Sequence, residues 1–205
     1  PEPKPSIMSK HDTRKLKKSA QANADEVTRT VAGQLFELEA NKALKASLGP
    51  MTISAVKNVQ IDDQRSAIVI FYPLRFIRKF RKIQKTVVQE LEKKSDGKPV
   101  VFIAQRKIAP VPKSNMSRRQ RSRGLLAVQD AILEDLVYPA DIVGRRTLFR
   151  ADGGRQLQIY FDEKYRETVE PKLATFSEIA LKLTGRRVAF GFMSNPALQQ
   201  VSVRA

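Results

Sequence analysis

Asp130 and Glu134 stand four residues apart in the segment AVQDAILEDL, a spacing that puts two carboxylates on one face of a helix. Such a pair could act as general acid and base. The plainer reading is the polar side of an amphipathic helix whose apolar side carries Val128, Ile132 and Leu136. Nothing else in the chain completes a catalytic set. Cysteine is absent, and the single histidine, His11, lies in a polar stretch. Disulfides and thiolate chemistry are therefore excluded, and zinc and histidine-base catalysis are disfavoured. Neither Gly-x-x-x-x-Gly-Lys-Ser/Thr nor Gly-x-Gly-x-x-Gly occurs. The residue types point away from an enzyme and imply no cofactor.

Binding chemistry is better supported. Lys113, Arg118, Arg119, Arg121 and Arg123 fall within eleven residues that contain almost nothing able to form a core, and Arg106 and Lys107 introduce them. Such a segment buries too little apolar surface to offset the entropy of ordering, and its charges repel until a polyanion neutralises them. A second cluster has helical spacing: Arg75, Arg78, Lys82 and Lys85 repeat at three, four and three residues, with Lys79 and Arg81 beside them. A helix face of one sign carries repulsion at those spacings, so an anionic partner is expected. Arg14, Lys15, Lys17 and Lys18 add a third group near the start. The formal net charge is +17 on 205 residues. Together these cations predict a nucleic-acid binder, RNA in particular, that grips phosphates and loses affinity as salt rises. The strand-like Arg187–Phe192 (RVAFGF) superficially resembles an RNA-stacking strand, but alternating Phe more often packs a core.

The elements that must position these groups follow from periodicity. Residues 1–24 read as a basic tail, extended or disordered, rich in proline and then lysine. Val27, Val31, Leu35 and Leu38 mark a helix that begins near Asp25, and Gly49-Pro50 stops the helical region. Ile53 to Ile61 and Ala67 to Tyr72 read as strands of an antiparallel hairpin around Asp62-Asp63. Pro73 opens one helix with Phe76, Phe80, Ile83, Val87 and Leu91 as its apolar face, ending at Ser95-Asp96-Gly97. Val100 to Ala104 is a buried strand, reached by a parallel crossover. After the basic loop, 106–123, a helix is predicted over Leu125 to Leu136. A hairpin of Arg146 to Arg150 and Gln156 to Phe161 follows around Asp152-Gly153-Gly154, then a helix from Val169 to Leu183 that stops at Gly185, then a strand from Val188 to Phe192. The fold class is α/β in the α+β sense: a mixed β-sheet packed by helices, with a projecting basic loop. Residues 25–192 are expected to form one domain, followed by a tail over 193–205. The longest apolar run, Ala67 to Tyr72, is too short to span a bilayer, and the reading is a soluble intracellular protein.

Particular segments carry a more specific likeness. LFELEAN (Leu35 to Asn41), QELEKK (Gln89 to Lys94), VVFIAQRKI (Val100 to Ile108), AVQDAILEDLVYPADIVGRR (Ala127 to Arg146) and TFSEIALKLTGRRVAFGF (Thr175 to Phe192) resemble the eukaryote-specific small-subunit ribosomal protein seven family. That family is distinct from the bacterial protein of the same number. The likeness runs from about Asp25 to Phe192, in the same order and spacing. Gln129 stands where the family usually has histidine. The basic loop is shorter than in animal relatives and built mainly from arginine. The resemblance implies a non-enzymatic protein of the small ribosomal subunit, bound to that subunit's RNA and active in its assembly and in precursor-RNA processing. It implies neighbouring ribosomal proteins as partners, including the eukaryote-specific number 27 and universal number 8 families, and residence in the cytoplasm with passage through the nucleolus. The reading from another class is a protein-interaction or general RNA-binding module that acts off the ribosome.

Overall fold

Val31, Ala32, Leu35 and Leu38 are buried along one side of α1 (Glu26–Glu39), as their three- and four-residue spacing requires. The computed structural model describes residues 15–16, 26–40, 44–45, 48–61, 65–95, 97–108, 122–151 and 153–192. Its residues fall into two compact units, Pro1–Lys107 and Ile108–Ala205.

In the first unit, β1 (Ala55–Gln60) pairs antiparallel with β2 (Ser66–Pro73), with Val56 opposite Ile70 and Val59 opposite Ala67. β3 (Val100–Gln105) lies parallel to β2 on its other side, with Ile70 opposite Phe102. The connection between them is not one helix. Pro73 leads into a 3-10 turn (Leu74–Phe76), then α2 (Ile77–Arg81), then α3 (Gln84–Lys94). At the break the Ile83 N–H bonds the Phe80 carbonyl at 3.0 Å, three residues back rather than four. No carboxylate stands within four residues in sequence of the cations from Arg75 to Lys85. The predicted apolar face survives the break. Phe80, Val87 and Leu91 are buried, and Tyr72, Phe80 and Phe102 form a ring cluster with centroids 4.7 to 6.4 Å apart. α3 closes where Gly97, at φ 74°, lets its N–H reach the Glu92 carbonyl at 3.0 Å.

The second unit repeats this order. α4 (Arg123–Val137) starts two residues earlier than predicted because the Ser122 hydroxyl accepts from the Leu125 N–H at 3.1 Å. β4 (Ile142–Phe149) and β5 (Arg155–Phe161) are antiparallel, and Gly153 at φ 73° makes the turn between them. β4 is longer than the hairpin signal suggested and carries an irregularity between Ile142 and Gly144. The crossover runs through a 3-10 turn (Glu163–Tyr165), α5 (Arg166–Val169), a second 3-10 turn (Glu170–Lys172) and α6 (Leu173–Thr184). One helix from Val169 was expected; Pro171 instead stands in the 3-10 turn, and regular helix begins at Leu173. Gly185 ends α6 in the left-handed conformation, φ 70°. β6 (Arg187–Phe192) then pairs parallel with β5.

The class is α+β, with the strands shared between two mixed three-stranded sheets, β1-β2-β3 and β4-β5-β6. The order helix, hairpin, helical crossover, parallel strand occurs twice, although the sequence shows no repeat.

Candidate nucleic-acid interface

The cations of the first crossover are held on the outside by what lies beneath them. Phe80 is buried and Phe76 and Ile77 pack against the core, so Arg75, Arg78 and Lys79 point away and are exposed. Lys82 caps α2 and Lys85 stands in the first turn of α3; both are exposed. The Arg75 guanidinium lies 4.6 Å from the centroid of the Phe76 ring, a cation–π contact that limits its freedom. The stripe is thus carried by a 3-10 turn and two short helices rather than by one helix face. Lys85 sits where the α3 macrodipole is already positive, which an anion would relieve.

Other predicted cations divide. Arg106 is half-buried and donates to the Ala104 carbonyl at 3.2 Å, while Lys107 beside it is exposed. Arg123 is exposed at the start of α4. Lys113, Arg118, Arg119 and Arg121 lie outside the described residues, as do Arg14, Lys17 and Lys18.

Lys15 is a correction. It was grouped with the tail cations, but its side chain is 5% exposed and its ammonium lies 2.8 Å from the Glu39 carboxylate. It also donates to the Leu48 carbonyl at 2.6 Å. Beside it, Leu16 is buried and bridges Ile53, and the Ile53 N–H bonds the Lys15 carbonyl at 2.7 Å. The tail reading of 1–24 does not describe these two residues. A buried, paired ammonium is no phosphate ligand.

The carboxylates of α4 are likewise occupied. Glu134 accepts from Arg145 at 2.6 Å, and Asp130 lies 3.7 Å from both Arg145 and Arg186. Ion pairing is their observed chemistry. Gln129 is buried and its amide donates to the Thr184 carbonyl at 3.1 Å, which satisfies an end group of α6. Phe190 and Phe192 pack on Phe161, with centroids 5.6 and 6.0 Å apart, so the aromatic strand serves packing.

Sequence reasoning overlooked the cations of the second hairpin. Arg146, Arg150 and Arg155 are exposed there, and Phe149 lies directly opposite Arg155 in the β4–β5 register. Arg145, Arg146 and Arg150 before the Asp152-Gly153-Gly154 turn signal and Arg155 after it were the available clue; the segment was read only as a hairpin.

A family model described as Ribosomal protein S7e matches residues 15–192. The chain is similar to the small ribosomal subunit protein eS7 of Manduca sexta, at 42% identity over 183 residues that cover 87% of this chain and 96% of that protein. The eS7 of Dictyostelium discoideum is 42% identical over 188 residues, covering 90% of this chain and 97% of that one. That of Hordeum vulgare is 42% identical over 181 residues, covering 87% and 94%.

Proposed function

The chain belongs to the S7e family of ribosomal proteins, and from that premise we propose that it is a structural constituent of the small ribosomal subunit that binds and orders the subunit's RNA. The observation that carries this reading is the row of exposed cations Arg75, Arg78, Lys79, Lys82 and Lys85, held outward by Phe80 on a fixed crossover with no acidic residue among them. Fixed ammonium and guanidinium groups displace counterions from folded RNA without first being ordered. The arginines from Arg118 to Arg123 complement them by forking onto phosphates or stacking on unpaired bases. Affinity arises from the phosphate backbone, and position in the subunit from shape and protein neighbours.

Similarity to small-subunit proteins supports the further roles: a part in assembly and in precursor-RNA processing, neighbours of the number 27 and number 8 families, and passage through the nucleolus. No catalytic step belongs to this function, and the α4 carboxylates contribute through their arginine pairs.

The test is incorporation. Cells expressing only a tagged chain with Arg118, Arg119, Arg121 and Arg123 changed to alanine are expected to accumulate less small subunit, with the variant shifted toward the top of a sucrose gradient. Normal co-sedimentation of that variant would remove the loop from the interface. A wild-type chain found mainly at the top of the gradient would favour a role off the ribosome.

A further inference from the structure

The inner face of the second sheet changes character along its length. At one end Ile159 and Phe161 are fully buried, and Phe190 meets Phe176 of α6 with centroids 6.2 Å apart. Toward the hairpin turn the same face continues through Thr147 opposite Leu157 and Phe149 opposite Arg155. There it opens into a groove of about 1040 Å³, bounded by Leu125 and Leu126 of α4 and by Thr184 and Gly185 at the end of α6. Phe149 is 68% exposed, and the Arg155 guanidinium lies 5.2 Å from its ring centroid. Arg150, Arg186 and Arg187 complete the rim, and no carboxylate is among the described residues that line the groove. Two of these arginines are already placed: Arg150 donates to Gln156 at 2.9 Å, and Arg186 lies 3.7 Å from Asp130.

A large aromatic ring left in water beside a guanidinium, at the mouth of a groove rimmed by arginines, suits an occupant that is flat, polarisable and anionic nearby. A nucleotide meets all three conditions. Its base can stack on the ring or on the guanidinium plane, and its phosphates suit arginine forks. The Thr147 hydroxyl and the Gln156 amide nitrogen interrupt the apolar wall and can serve base edges, whereas the Thr184 hydroxyl already donates to the Ala180 carbonyl at 2.6 Å. An aliphatic peptide would leave the guanidinium groups of Arg150, Arg155 and Arg187 without counter-charge. We infer that this groove is a second RNA site, taking an unpaired nucleotide whose base stacks on Phe149 and whose flanking phosphates rest on Arg150, Arg155 and Arg187. The inference rests on the RNA-binding reading above and adds a site that discriminates single-stranded from paired RNA.

The full chain would be titrated with a fluorescein-labelled oligouridylate and, separately, with a fully paired RNA hairpin, reading anisotropy across salt. Phe149→Ala and Phe149→Leu are expected to weaken oligouridylate binding roughly tenfold. The salt slope and hairpin binding should stay unchanged. Arg187→Ala is expected to reduce the single-strand slope by about 0.7. If both Phe149 variants bind the oligouridylate like wild type while alanine at Arg75, Arg78, Lys82 and Lys85 weakens binding, the groove inference fails and the RNA-binding reading stands. If the wild type binds neither RNA, both fall. A photoreactive phenylalanine analogue at position 149 in assembled subunits decides the occupant: crosslinks to RNA support the site, and crosslinks to a protein overturn it.

Discussion

The Lys15 ammonium is held by the Glu39 carboxylate and the Leu48 carbonyl, so removing the carboxylate strands a buried cation. Glu39→Ala is expected to cost about 3 kcal/mol in urea denaturation, near the lower end for breaking a buried pair, because Glu39 is partly open to water. It should leave the salt dependence of RNA binding unchanged; a reduced slope would return Lys15 to the interface. Gln129 offers a second contrast. Gln129→Leu removes the donor to the Thr184 carbonyl and should cost about 1–3 kcal/mol, the range for leaving a buried polar group unsatisfied. Gln129→His keeps a ring N–H able to serve that carbonyl, so its cost in the same denaturation assay should be clearly smaller. Equal losses for the two variants would show that side-chain volume, not the hydrogen bond, sets the position. At this scale the chain was only partly legible. The charge of Lys15 and the amide of Gln129 were plain, but their partners stand 24 and 55 residues away, and no local pattern reports such distances.

Elements were easier to read where a local rule decides them and harder where charge or tertiary packing intervenes. The β1–β2 hairpin, the parallel third strand and the Gly185 stop all follow from alternation, crossover geometry and the left-handed conformation. Gly185→Ala tests the last of these. A Cβ there meets nothing within 4 Å, so the expected loss of about 1–2 kcal/mol is the backbone cost alone. A melting temperature equal to wild type would contradict it. The break between α2 and α3 was not read, since Lys82 and Ile83 both suit a helix and only the crowding of like charge in the sequence hinted otherwise. Its consequence is functional. With Arg75, Arg78, Lys82 and Lys85 spread over three short elements, their contacts should be nearly additive. Each alanine substitution is expected to lower the slope of log affinity against log salt by about 0.7–0.9. If one substitution abolished the whole dependence, the four would be acting through a single bound phosphate instead.

For the whole molecule, charge dominates. A chain with a formal charge of +17 that uses 6–10 phosphate contacts should lose about 10³–10⁵ in RNA affinity between 50 and 200 mM salt. Weak salt dependence would mean that protein neighbours, rather than RNA, hold it in place. Composition made this much visible from the start. The division of the strands between two sheets was not visible, because the repeated helix–hairpin–crossover–strand order is a repeat of topology without one of sequence. That doubled plan also orders events in time. β3 ends at Gln105 and β6 at Phe192, so the first sheet has all its strands 87 residues before the second. At ordinary elongation speeds the interval is roughly 4–17 s. During it a nascent chain presents one sheet with all three strands, the arginine-rich segment, and then a hairpin still lacking its parallel neighbour. Newly made copies in that interval offer a bare β5 edge, which escorts of nascent chains would need to shield.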